Sequence, residues 1–435
     1  MQGTVRFSRP SLGRAILRLL PGQPLSIAVP GVVCPRNFAP SFLMATSTST
    51  PPILAMRQRA ARDRSQPAGL RVALLPFYHD NPYQQRLVEQ LRALGVEVAT
   101  RIQLKGLFAE TRKRENRPDV VHLHWLPGYN GKPVTLARLL MYYVRVRLLR
   151  HWGIRIVWTV HNLYPHEGRH RGVDRRFIRG IIQCASQLIV HSPSAADMVR
   201  QEFGVRDWRK IAVVPHGHYI DSYPNTISRA EARRKLGLPA HGTVLLFLGK
   251  IRRYKGVSSL VRTFQEVAPS DATLVVAGAP VDDQIVGEIR QLVHQANVML
   301  YPEFVPDDTI QVYMNAADAV VFPYQDVLTS GAVILAMSFG KACIAPRLGC
   351  IGDVLDERGS VLYNPDAPEG LKNALSTALA QPERLAAMGH HNLTQAQRWR
   401  WDDIARATVE VYDGQANRVM QGSPATSPVE LPSGS

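Results

Sequence analysis

One pattern constrains this chain more than any other: short apolar runs alternate with stretches of helical spacing, and the alternation runs through twice. In the first pass the strand candidates are residues 71–76, 96–100, 119–125, 154–160, 187–191 and 211–215, with helical stretches such as 83–94 and 133–152 between most of them. In the second pass they are residues 243–249, 273–277, 298–301, 319–323 and 342–345. Helices at 256–267, 281–295, 309–316 and 331–339 separate these, and 368–397 also has helical spacing. Strands that alternate with helices build parallel sheets covered on both faces. The expected fold is α/β, with two doubly wound, Rossmann-like domains facing a cleft.

Within the 435 residues the expected boundaries are 69–222 for a first domain and 223–242 for a linker marked by Pro224 and Pro239. A second domain follows at 243–398, then a C-terminal helix at 399–415 and a Ser/Pro/Gly tail at 416–435 expected to be disordered. Residues 1–68 hold nine Arg, no Lys and a single acid, Asp63. That composition suits a disordered basic extension ahead of a start at Met44 or Met56, or an organelle-targeting segment over 1–65. About half of the net charge of +17 lies beyond this segment, where it attracts polyanions or forms a solvated surface. No uninterrupted apolar run reaches the ~18 residues of a membrane-spanning helix. Cys34, Cys184, Cys343 and Cys350 show neither paired nor metal-type spacing and read as free thiols of a reducing compartment.

Open α/β sheets bind ligands at the carboxyl ends of their strands. Residues 249–256 occupy such a position and carry Lys250, Arg252, Arg253 and Lys255 between Gly249 and Gly256. Clustered cations beside a helix start suit a diphosphate, although the spacing is not that of a Walker loop. A second strand-to-helix loop, residues 322–332, contains Thr329, Ser330 and Gly331. Helix capping alone would explain Ser330. A phosphate shared by both loops explains the pair more economically.

The first half is rich in histidine. His122, His124 and Trp125 end one strand; His161, Asn162, His166 and Glu167 follow another; His216 and His218 follow a third at the domain junction. Standard zinc spacings and Asp-x-Asp are both missing, so neither metal nor cofactor is expected. The proximity of His161, His166 and Glu167 offers an acid–base group. The helix at 133–152 carries Arg138, Arg145, Arg147 and Arg150 among Leu, Met, Tyr and Val. It either lies on an anionic membrane surface or covers the first sheet with its arginines in water.

Together these residues resemble the GT-B glycosyltransferases from about residue 70 to 415. The second half is similar to the family 4 pattern. There the 249–256 loop resembles the grip on the donor diphosphate, and Glu303, Phe304 and Val305 resemble the segment facing the nucleobase. The stretch Ala336-Met-Ser-Phe-Gly-Lys-Ala-Cys-Ile-Ala345 resembles the region beyond the sugar site. Family 4 enzymes usually carry two glutamates seven residues apart; Val327 and Leu335 stand at those positions here. A closer likeness is to the GDP-mannose-dependent β-mannosyltransferases of the xanthan pathway, classed as inverting. It rests on Asn81-Pro-Tyr83, on Val121 to Trp125, on His161-Asn-Leu with Pro165-His-Glu167, on His216-Gly-His-Tyr219, on Ile251-Arg with Tyr254-Lys-Gly256, and on Ser330-Gly331.

The resemblance implies transfer of a hexosyl group, mannose by the closer likeness, from a nucleotide-sugar to a glycan or lipid-linked oligosaccharide, with inversion. Glu167, then His161, with His166 beside them, are the expected catalytic groups. Lys250, Arg252, Arg253, Lys255, Thr329, Ser330 and Gly331 are expected on the diphosphate. Asn81, Tyr83, His122, His124, Trp125, Asn162, His216 and His218 are expected on the acceptor side of the cleft. The expected location is cytoplasmic, peripheral to the inner membrane face, and nucleic acid is not an expected partner. Alternatives are a retaining family 4-type transferase, a nucleotide-sugar epimerase acting on the donor alone, and a degenerate sugar-nucleotide-binding protein.

Overall fold

The computed structural model describes residues 69–165 and 170–414. The expectations for 1–68 and 416–435, and for His166 and Glu167, fall outside the described residues. The first six strands are β1 (Arg71–Leu75), β2 (Glu97–Thr100), β3 (Val120–Leu123), β4 (Arg155–Thr159), β5 (Gln187–Val190) and β6 (Ile211–Val213). They form one parallel sheet in the order β2-β1-β3-β4-β5-β6. The next six are β7 (Val244–Leu248), β8 (Thr273–Ala277), β9 (Val298–Tyr301), β10 (Ala319–Val321), β11 (Ala342–Pro346) and β12 (Ser360–Tyr363). They form a second parallel sheet, β12-β11-β10-β7-β8-β9. The two expected doubly wound domains are therefore present.

The central strands read as continuous apolar runs because helices cover both of their faces. Every residue of β7, Val-Leu-Leu-Phe-Leu, is buried, as is every residue of β8. Both sheets reverse strand order beside their first strand, between β1 and β3 and between β7 and β10. At such a reversal the following loops diverge and leave a crevice. The loops after β1, β3, β7 and β10 carry motifs at these reversals, and those after β4 and β6 carry the remaining first-half motifs.

Two elements differ from expectation. The stretch 368–397 is two helices, Gly370–Ala380 and Pro382–Ala396, joined at Gln381. Pro382 lacks the N–H that a helix interior needs, so it starts a helix instead of continuing one. Strand β12 was not expected; three of its four residues are only half-buried at a sheet edge, so it lacks a strong apolar run.

The last helix among the described residues returns to the first domain. Helix Trp401–Tyr412 places Trp401, Ile404, Ala405, Val411 and Tyr412 in the same apolar cluster as Leu87, Leu91 and Val120. Where the chain crosses, His218 N–H donates to the Trp399 carbonyl at 3.1 Å and Trp401 Nε1 donates to the His218 carbonyl at 2.6 Å. A further contact between the domains is Ser194, whose N–H and Oγ donate to the Asp353 carboxylate at 2.8 and 2.9 Å.

Candidate functional site

A cleft of about 580 Å³ is lined from both sheets. From the second domain come Tyr254, Lys255, Tyr324 and residues 326–332; from the first come Asn81, Tyr83, Trp125, residues 161–165, Arg171, Glu202, His216 and Tyr219.

The basic loop after β7 does not use its four cations alike. Lys255 turns into the cleft. Its ammonium lies 5.4 Å from the Tyr324 ring centroid and 5.9 Å from that of Phe247. A Cβ on Gly249 would stand 3.1 Å from Lys255 Nζ, so the glycine makes room for the ammonium. Burial, reinforced by Arg252 and Lys250, pulls the Lys255 pKa down to about 8. Among the described residues Lys255 has no ion-pair partner. Arg252 Nη1 is likewise buried without a hydrogen-bond partner. Arg253 is committed elsewhere: its two terminal nitrogens grip Glu288 at 2.6 and 2.9 Å. Lys250 is exposed. Neither Arg253, Lys250 nor Arg252 lines the cleft.

The loop after β10 closes against this one. Gln325 N–H donates to the Tyr254 carbonyl at 2.8 Å. Gly256 has φ of 68° and sits against the Pro323 carbonyl, where a Cβ would collide. Ser330 caps the helix Gly331–Ser338, its Oγ accepting from Val333 N–H at 3.4 Å. Thr329 Oγ1 is buried with no partner, at the cleft wall. Leu328 packs into the first domain's core. A Cβ on Gly331 would lie 3.2 Å from Tyr219 Oη and 3.7 Å from His216 Nε2, so this helix start directly faces the first domain. Val327 also lines the cleft, and Leu335 is buried in the second core.

On the opposite wall the histidines form one cluster around Tyr83. The Tyr83 ring lies 4.8–5.9 Å from those of His124, His161, His191 and His216. His161 Nε2 and His124 Nδ1 are 3.0 Å apart and share one hydrogen bond. Trp125 stacks on His161 at 4.6 Å, at an angle of 16°. Burial, with the neighbouring imidazoles adding to it, holds His124 and His161 well below the ordinary histidine range. It takes His122 and His216 to about 3. These rings are therefore neutral at physiological pH.

The expected acceptor-side residues divide accordingly. Asn81, Tyr83, Trp125, His161, Asn162 and His216 line the cleft; His122, His124 and His218 do not. His122 is wholly buried, bonded at 2.7 Å to both Tyr412 Oη and Thr159 Oγ1. His218 anchors the chain crossing through its backbone. Glu303, Phe304 and Val305 follow β9 and are not among the residues lining this cleft; Phe304 is 70% exposed.

Sequence reasoning missed His191, Arg171, Glu202 and Asp326 as site residues, whereas Tyr219 entered within the 216–219 motif. His191 follows a strand end, like the other histidines, and that position was its signal. Glu202 comes from the last turn of helix Pro193–Phe203, where it accepts from Tyr164 Oη and pairs with Arg175 at 3.1 Å. No loop signal marks it. Among the described residues no three His, Cys, Asp or Glu side chains converge as metal ligands.

Residues 242–381 match the family model described as glycosyl transferases group 1, and residues 45–217 match the glycosyl transferase 4-like domain. The chain is 26% identical to a D-inositol 3-phosphate glycosyltransferase of Xylanimonas cellulosilytica over 395 residues, 85% of this chain and 86% of that one. It is 28% identical to a GDP-mannose:glycolipid 4-beta-D-mannosyltransferase of Xanthomonas campestris pv. campestris over 288 residues, 65% of this chain and 75% of that one. Among solved structures, sucrose-phosphate synthase from Thermosynechococcus elongatus superposes with a TM-score of 0.63 at 19% identity, over 79% of this chain and 98% of the other. Anabaena HepE in complex with UDP and glucose does so at 0.60 and 18%, over 79% and 99%.

Proposed function

Since the chain is a glycosyltransferase of GT-B fold with group 1-type domains, we propose that it transfers a hexosyl group, mannose, from a nucleoside-diphosphate sugar to a glycan or lipid-linked acceptor, with inversion. The observation that carries the donor half of this reading is Lys255. Its ammonium is desolvated on the cleft wall beside other cations, with no carboxylate among the described residues to neutralise it. A bound diphosphate supplies the missing negative charge. Thr329 Oγ1, a buried donor without a partner on the cleft wall, is a further group for its oxygens, and Arg252 adds positive charge behind Lys255. These charges stabilise the leaving nucleoside diphosphate as the glycosidic bond breaks. No metal is required in this scheme.

Mannose and inversion are supported by the likeness to the Xanthomonas campestris enzyme, whose name specifies GDP-mannose and a β-linkage. Apolar Val327 and Leu335 at the positions of the usual glutamate pair also favour a departure from the retaining pattern. Direct displacement needs one base to take the acceptor hydroxyl proton. Glu167 fills that role, with His161 the second candidate and His166 adjacent. The neutral His161 ring lines the cleft.

Two variants test the assignment together. Lys255→Ala should lower nucleotide-sugar affinity and turnover by roughly 10²-fold or more while the thermal melt is kept. Glu167→Gln should cut turnover and leave donor binding nearly intact. Unchanged turnover in Lys255→Ala overturns the diphosphate site; conversion of the sugar with donor alone would identify an epimerase instead.

A further inference from the structure

Helix Pro133–His151 has two apolar sides. Leu139, Val146 and Leu149 are buried against the first domain. On the opposite side Leu136, Leu140, Val144 and Leu148 follow one another at four-residue steps, with Val134 and Met141 beside them, and all six are exposed, Leu140 by 61%. At about 100° per residue this is a continuous outward stripe. A surface helix normally turns polar residues outward; one apolar all round is covered on both sides.

The charge around the stripe is of one sign. Arg138 and Arg145 flank one border, and Arg147 and Arg150 the other, and no acid occurs between residues 133 and 151. Arg176 and Arg179 of the neighbouring helix Arg171–Cys184 edge an apolar groove of about 610 Å³ beside it, floored by Leu139, Leu140, Val173 and Phe177. Of these six arginines none makes an ion pair among the described residues. Arg147 and Arg150 spend single bonds on Tyr143 Oη and Ser186 Oγ.

We propose that this face docks the protein on an anionic phospholipid bilayer. The stripe enters the boundary between headgroups and acyl chains, and the flanking guanidinium groups pair with lipid phosphates. A protein partner would be expected to bring carboxylates in a fixed pattern. A broad apolar stripe with cations on both borders instead fits a fluid, uniformly anionic surface. No helix among the described residues is long and apolar enough to cross a membrane, so the contact is with the surface only. The same helix pair ends at Arg171 on the cleft wall, which brings the acceptor side of the cleft near the lipid. The docking itself does not depend on the transfer reaction.

The test is co-sedimentation of the full chain with vesicles of phosphatidylcholine alone, or of equal parts phosphatidylcholine and phosphatidylglycerol. Binding is expected to the anionic vesicles, to weaken as salt rises, and to be slight on the neutral ones. The double variant Leu140→Glu/Val144→Glu should bind roughly tenfold or more weakly. So should Arg138→Gln/Arg145→Gln. Both should keep the parent's thermal melt and its nucleotide-sugar affinity in solution, which separates failure of docking from failure of the donor site. Equal binding by the variants, or none by the parent, overturns the proposal. Concentration-dependent dimerisation that the glutamate variant abolishes, without vesicle binding, also overturns it and makes a second copy the occupant.

Discussion

At the scale of residues, Lys255 holds a positive charge in a place that disfavours it. Its lowered pKa, about 8, has a measurable consequence. A sugar diphosphate keeps its charge across neutral and alkaline pH, so only the protein titrates. Nucleotide-sugar affinity should be flat below about pH 7 and fall as pH rises through 8, by up to about tenfold per unit. Lys255→Met should flatten that profile, and calorimetric titration across pH checks both. The donor-free fold follows the opposite sign. Its Lys255 pKa lies below the ordinary value of 10.5, so stability from this group rises with pH between the two values. Reading the loop alone could not separate Lys255 from Arg253. Both are cations bracketed by the same glycines, and what diverts Arg253 is Glu288, on a helix thirty-five residues away. The strand-end histidines were legible because a parallel sheet delivers its loops to one edge. Which rings reach the cleft was not, since it depends on Tyr83, Trp125 and Tyr412 filling the spaces between them.

Among elements, the loops after β7 and β10 behave as one piece. Their strands, β7 and β10, are neighbours in the sheet, and the loops join through Tyr254–Gln325 and through Gly256 against Pro323. Gly256→Ala should cost about 1–2 kcal/mol from its left-handed conformation alone, and more from collision with the Pro323 carbonyl. The expected result is a lower thermal midpoint together with weaker nucleotide binding, read by differential scanning fluorimetry with and without the nucleotide. Unaltered binding would show that the loops move separately. Most of these elements were readable because the central strands are buried on both faces and advertise it. The failures have the converse cause. Half-buried β12 has too little apolar character, and helical periodicity ran straight across Gln381 although Pro382 forbids it.

The whole molecule is held together by its last helix as much as by the sheets. Trp401 touches Tyr83 at 5.4 Å, packs against Gly217 and bonds to His218, all in the first domain or at its junction. Trp401→Ala should destabilise the fold by about 3–5 kcal/mol, seen as a large drop in the denaturant midpoint. A change under about 1 kcal/mol would mean that the first domain does not rely on this return. Composition and periodicity revealed a helix here, but not that it belongs to the other domain, because no local pattern records a partner three hundred residues distant.

Two of the links between the domains differ in kind. At the crossing, two chain segments lie side by side and are bonded to each other, so one strap carries both. At Ser194 and Asp353 the link is two exposed hydrogen bonds, worth roughly 1–3 kcal/mol each at most. The strap behaves as a hinge and the serine as a latch. Thermal agitation can undo the second without disturbing the first, but the mouth swings open only if Leu328, seated in the first domain's core, withdraws as well.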